Sequence, residues 1–95
     1  MIRLPKEVVD RAKALGLNWR SLGPSHRHGK RLQILHEGRL IHFGAWPVAE
    51  GTFVDHGNLE IRRNWRARHS KIMKNGHRAY MDPDSPSFYS WNLLW

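Results

Sequence analysis

A chain of 95 residues without a single cysteine has to close its fold on side-chain packing alone. No disulfide can staple it, no thiolate can act as a nucleophile, and no zinc site that needs cysteine can be built. A chain this short has room for one hydrophobic core and hardly for two, so a single domain over residues 1–95 is expected. The 40% apolar content, with five Trp, three Phe and two Tyr, supplies large side chains of the kind disordered chains lack. The core is nevertheless small, and homo-oligomerisation or a bound partner is one way such a domain completes itself.

Periodicity sets the elements. Pro5 to Leu15 reads as a helix, because Pro suits a first turn, Glu7 and Asp10 complement the positive helix end, and Gly16 can close it. Val8, Val9, Ala12 and Leu15 would share its buried face. Leu17 to Leu22 reads as a short strand, and Gly23 to Lys30 as an exposed, mobile basic loop. Arg31 to His36 and Arg39 to Phe43 are apolar-rich runs separated by Glu37-Gly38, the pattern of a β-hairpin. Gly44 to Gly57 reads as a loop anchored by Trp46, Val48, Phe53 and Val54. A second helix, capped by Asp55 or Asn58, is predicted to run to about Lys74 and stop at Asn75-Gly76. Ile61, Trp65 and Ile72, with the aliphatic stem of Arg68, would form its inner face, and Arg62, Arg63, Arg66 and Lys74 would turn to water. Ser85-Pro86 can start a short C-terminal helix over Phe88 to Trp95. The fold class expected is therefore α+β: an N-terminal helix, a small antiparallel sheet with a hairpin, a basic helix and an aromatic C-terminal helix. An apolar end of that kind either docks on the core or presents Phe88, Tyr89, Trp91 and Trp95 as an interface; aromatics favour the core.

Charge points toward function. Sixteen Lys and Arg against eight Asp and Glu give a formal charge of +8, which favours nucleic acid, anionic lipid or an acidic protein surface without choosing among them. The excess concentrates in Asn58 to Arg78, where Arg62, Arg63, Arg66, Lys71, Lys74 and Arg78 are the candidate anion-binding residues. Arginine forks pair bidentately with phosphate oxygens, while the bland alternative is a solvated helix face. No apolar run approaches a membrane span, and Met1 to Glu7 lacks the apolar segment of a secretory signal, so action where the chain is made is expected.

Seven histidines invite a metal or catalytic reading. His26 and His28 are the one close pair, with no carboxylate beside them, and ordinary hydrogen-bonding roles are the simpler account. His56 and His69 superficially echo a ββα-type metal-dependent nuclease, but no carboxylate cluster accompanies them. Neither a convincing serine nucleophile nor a glycine-rich phosphate loop is present. No enzyme, metal or cofactor is predicted. Trp19 and Trp65, each beside arginine, suit base stacking or ordinary packing; Trp65 falls on the apolar face of its helix, which favours packing there, and Trp19 stays undecided.

His42-Phe43-Gly44, the Phe53 to His56 stretch, Arg62-Arg63-Asn64-Trp65-Arg66-Ala67-Arg68-His69-Ser70-Lys71 and Ser87 to Trp95 together resemble a family of small uncharacterised proteins of large DNA viruses and bacteriophages. The likeness spans about the last two thirds of the chain. Departures are the helix at Pro5 to Leu15 and Gly57 where a charged residue is expected. The resemblance implies a viral origin and location in a virion or host cytoplasm. It also implies a minor structural role, bound to nucleic acid or to an acidic capsid protein, with an assembly or cement role as the alternative. It supplies no catalytic residues.

Overall fold

The computed structural model describes residues 4–48 and 51–95. It is a mixed α+β structure in which four helices pack around a three-stranded antiparallel sheet, with a separate two-stranded ribbon. Among the described residues no helix is long and apolar enough to cross a membrane.

Helix α1 spans Lys6–Ala14, preceded by Pro5, whose carbonyl accepts the Val8 amide. Val8 and Ala12, one turn apart, are fully buried. The helix closes in a Schellman arrangement: Gly16 at φ +71° donates to the Lys13 carbonyl and Leu17 donates to that of Ala12. That turn carries Leu17 back onto the core and leaves Leu15 half exposed at 50%, so Leu15 does not join the buried face the spacing predicts.

The strand expected at Leu17 to Leu22 is instead a 3₁₀ turn, Trp19–Ser21. The Ser21 hydroxyl explains the difference, because it donates to the Asn18 carbonyl and accepts the Leu35 amide, bonding the backbone sideways rather than in a ladder. Trp19 packs partly on the core, with Lys13 and Arg20 over its ring at 4.3 and 4.6 Å. The Gly23 to Lys30 loop begins as a two-residue strand, β1 (Gly23–Pro24). It is pinned by Ser25 to Arg31, His26 to Gln33 and Ser25 to His42, which replaces the freely mobile loop expected.

The hairpin is as the sequence predicts. Strands β2 (Lys30–His36) and β3 (Arg39–Ala45) pair across Glu37-Gly38, whose φ values of 48° and 78° are those of the primed turn that matches strand twist. Leu32 faces Phe43 and Ile34 faces Ile41, all four buried, while Leu35 and Leu40 stay on the outer face. Beyond β3 the Trp46-Pro47 peptide bond is cis, and neither Trp46 nor Val48 belongs to the core cluster. Only Phe53 and Val54 anchor the loop as predicted, through the short helix α2 (Phe53–His56).

Arg31, out of phase with Leu32, is 5% exposed and forms a two-pronged ion pair with Asp55 at 2.8 and 2.7 Å. Asp55 also accepts the Thr52 amide and hydroxyl, so one carboxylate both caps α2 and fastens it to the sheet. These contacts, the Arg31 guanidinium first, hold its pKa down at about 2. Asp55 is thereby unavailable to cap the next helix.

Asn58 caps that helix, α3 (Leu59–His69), accepting the Glu60 and Ile61 amides. It ends five residues before the predicted Lys74. Asn75-Gly76, at φ 50° and 83°, is not a helix stop but the turn of a β-ribbon joining β4 (Met73–Lys74) to β5 (His77–Arg78). Arg78 donates to the Ser70 carbonyl at 2.8 Å, satisfying a group that a longer helix would have bonded itself.

Ser85 caps α4 (Pro86–Tyr89), which widens into a π turn over Ser90–Leu94. Tyr89, Leu93 and Leu94 are fully buried and Trp95 is 7% exposed. Tyr89 stacks near Phe43 at 5.7 Å and donates its hydroxyl to the Pro83 carbonyl at 2.7 Å. Burial, with Asp84 and Asp82 nearby, pushes its phenol up to about 12. Tyr89 and Trp95 are thus core, whereas Phe88 and Trp91, the other two aromatics of the candidate interface, are half-buried. Gly44 shows how closely the tail docks: a Cβ there would lie 2.8 Å from Leu94 Cδ1 and 3.2 Å from Arg31 Cβ.

Candidate polyanion-binding face

The inner stripe of α3 is Arg62, Trp65, Arg66 and His69, spaced i, i+3, i+4, i+7, and all four are half-buried. Ile61 and Ile72, expected there, are 43% and 44% exposed, and Arg68 is exposed as well. The surface beneath the helix explains the inversion. It is made of aromatic rings, Phe53, Trp91 and Trp95, whose faces attract a guanidinium as well as they accept an aliphatic side chain. Arg62 lies 4.4 Å over Phe53 and Arg66 lies 5.0 Å over Trp91, with its Nη2 3.4 Å from the Trp91 carbonyl. Hence Arg62 and Arg66 do not turn wholly to water as the sequence suggests.

A third guanidinium joins them from α1. Arg11 lies 5.7 Å from the centre of the Phe53 ring, the ring that also holds Arg62. The three like charges sense one another: the Arg66 pKa is lowered first by burial, then by Arg62 and by Arg11. Within the described residues the only carboxylate paired to any of them is Glu7, 3.1 Å from Arg11. The Arg66 Nε is buried without a partner there. Arg62, Arg63 and Arg66 line a surface cleft of about 580 Å³ together with Leu59 and a single acid, Glu60. A guanidinium over a ring can still turn N–H groups outward, and such groups are what grip a phosphate. Arg11 has no part in the site read from sequence, and Phe53 only a core role, because no hydropathy period marks a cation over an aromatic ring.

The rest of the basic stretch lies apart. Lys71 is exposed just beyond α3. Lys74 is on the ribbon, 3.3 Å from Asp82, which His77 also approaches at 3.1 Å. The Asp84 amide, His77 and Lys74 bring the Asp82 pKa down to about 2. Arg78 is spent on Ser70. The six sequence candidates therefore divide into a cleft trio, one free lysine and two residues tied into the ribbon.

The histidines take packing and bridging roles. His69 lies parallel to Trp65 at 3.9 Å, with Nδ1 2.9 Å from the Trp65 carbonyl, and His56 accepts the Asn58 amide and meets Trp95 edge-on at 5.7 Å. Asp55 is held by Arg31, and among the described residues His56 and His69 form no metal-type cluster with a carboxylate, which the nuclease reading needs. Among the described residues the one grouping of metal-ligating type is His36, Glu37 and Asp84, with both acids exposed. His26 and His28 are exposed on their loop. Ser25 Oγ lies 2.7 Å from His42 Nδ1 and accepts the Arg27 amide. Burial, then Arg27, His26 and Lys30, lower the His42 pKa.

One family model matches the chain, over residues 21–69, which takes in the sheet, α2 and α3 but neither α1 nor the aromatic tail. No curated protein and no solved structure matches it.

Proposed function

The chain belongs to that family, a family of unknown function (DUF5754), and from the geometry of its cleft we propose that it binds the phosphate backbone of nucleic acid as a small basic, non-enzymatic protein. In the viral setting implied by the sequence resemblance, this is the role of a minor virion component seated on the genome. The observation that carries the reading is the convergence of Arg11, Arg62 and Arg66 on two aromatic rings, with Arg63 joining Arg62 and Arg66 in the cleft. Like charges gathered with so few acids raise the energy of the free protein, and an anion relieves that cost. The rings beneath them restrict Arg62 and Arg66, so less side-chain entropy is lost on binding.

Four guanidiniums and Lys71 would neutralise four to five phosphates. On duplex DNA that gives a slope of about −4 in log affinity against log salt, and a loss of roughly two to three decades between 50 and 200 mM. Fluorescence anisotropy with a labelled duplex across that range measures it. Arg63→Ala, at an exposed position with no packing role, should weaken binding to every sequence about equally and reduce the slope by about 1. Binding that does not change with salt ends the proposal. Retention on polyglutamate matching that on DNA would move the assignment to an acidic protein surface.

A further inference from the structure

A second group of basic side chains lies outside the arginine cleft, in the loop between β1 and β2. His26, Arg27 and His28 are exposed there, and Lys30 follows at the start of β2. Among the described residues no carboxylate pairs with His26, Arg27 or His28. Mutual repulsion favours spreading such a loop into solvent, yet this one is tied back onto the sheet. The His26 amide donates to Gln33 Oε1 at 3.0 Å, the Ser25 amide donates to the Arg31 carbonyl at 3.1 Å, and Ser25 Oγ lies 2.7 Å from His42 Nδ1 on β3. Gln33 and His42 are cross-strand partners, so two of these ties land on one rung of the sheet. They hold the loop without neutralising any of its cations.

The turn at the loop's end adds donors. The Lys30 amide closes it onto the Arg27 carbonyl at 3.2 Å, with Gly29 at φ +80°, and the His28 and Gly29 amides have no acceptor among the described residues. Unbonded amides in a turn are donors of the kind that cradle phosphate oxygens. The half-buried His42 ring is the remaining member. Burial, then Arg27, His26 and Lys30, disfavour its charged form. An anion seated on the loop opposes those three repulsions, so its binding and protonation of His42 favour each other.

We propose that the loop from Ser25 to Lys30, together with His42, is a second phosphate-binding site, which takes a phosphate of the same nucleic-acid backbone that the arginine cleft holds. The identity of that ligand rests on the backbone-binding reading above. The site itself does not, because a free tetrahedral anion can occupy it. The loop gives the protein a contact that strengthens as pH falls through the imidazole range, whereas the arginines of the cleft stay charged throughout.

Sulfate is the probe, since it has the shape and charge of a phosphate dianion and does not itself titrate in this range. Imidazole NMR follows the seven histidines through a pH titration in about 20 mM sulfate, and again in chloride of equal ionic strength to match screening. Sulfate should move the His42 midpoint upward relative to chloride, and those of His36, His56 and His69 much less. Arg27→Ala removes an exposed side chain while leaving the Ser25 and Gln33 ties in place, and should abolish most of that difference; Arg63→Ala should retain it. With a DNA duplex in place of sulfate, His42 should move the same way, and Arg27→Ala should lower the salt slope of duplex binding by about 1. Equal His42 midpoints in sulfate and chloride overturn the site, as does a full difference in a folded Arg27→Ala chain or a uniform shift of all seven rings. A response to sulfate with none to a bound duplex overturns the assignment to the backbone. A duplex that fails to bind the parent at all removes the backbone reading, and the sulfate titration then decides the loop site separately.

Discussion

Replacing Gly44 by Ala tests the closest approach in the core. Gly44 has φ +78°, and the added methyl would sit 2.8 Å from Leu94 Cδ1 and 3.2 Å from Arg31 Cβ. Two costs follow. A left-handed backbone at a residue with a side chain costs roughly 1–2 kcal/mol. Forcing a methyl into packed space costs about 1–3 kcal/mol more, because Leu94 is fully buried and Arg31 is fixed by Asp55, so neither can move aside cheaply. Gly44→Ala should therefore lose about 2–4 kcal/mol, a large share of the roughly 5–15 kcal/mol typical of a whole domain. Gly38→Ala is the matched control: its φ is +78° as well, but an added Cβ meets nothing within 4 Å, so only the backbone cost applies. Urea unfolding followed by tryptophan fluorescence, with m compared across the three chains, separates the terms. If the two variants lose the same amount, the contact between tail and sheet is not as tight as described.

Asp55→Asn should cost about 2–3 kcal/mol, less than a fully buried broken pair because the carboxylate retains some exposure, and urea midpoints would show it. Because the Asp55 pKa is depressed to about 2 from its ordinary 3.8, its stabilisation is complete above about pH 4 and is lost as pH falls toward 2. The parent should therefore lose more stability than the variant over that window, and parallel curves would refute the assignment. Tyr89→Phe removes the hydroxyl that donates to Pro83 and should cost about 1 kcal/mol, read as a melting shift of roughly 4–8 °C. A peptide of residues 21–69 should show no cooperative melt by circular dichroism, since Val8, Ala12, Tyr89, Leu93, Leu94 and Trp95 of the core lie outside it.

Where the fold could be read from sequence, one local signal was enough. Alternation and Glu37-Gly38 determine the hairpin, Pro5 and Gly16 bound the first helix, and Ser85-Pro86 starts the last. The failures occurred where a side chain took over a backbone role. Ser21 diverted a strand into a turn, and Asp55 left capping α3 to Asn58 because Arg31 claimed it. Asn75-Gly76 fits a helix stop and a hairpin turn equally well, and the ribbon's pairing decides between them. The charge of the candidate site was legible but its orientation was not. Hydropathy ranks arginine as outward, whereas Phe53 and Trp91 hold Arg62 and Arg66 by their faces, and Phe53 also draws in Arg11 from about forty residues away.

The packing of α1 against the π turn has a consequence for how the chain is born. Val8 and Ala12 share a core with Leu93 and Leu94, which emerge from the ribosome about eighty residues later. At roughly 5–20 residues per second, the hairpin waits several seconds after its synthesis before the segment that buries it arrives. During that interval Leu32, Ile34, Ile41 and Phe43 have no lid. The nascent hairpin is therefore the stage at which a chaperone, or a neighbouring chain on the same message, would find something to hold.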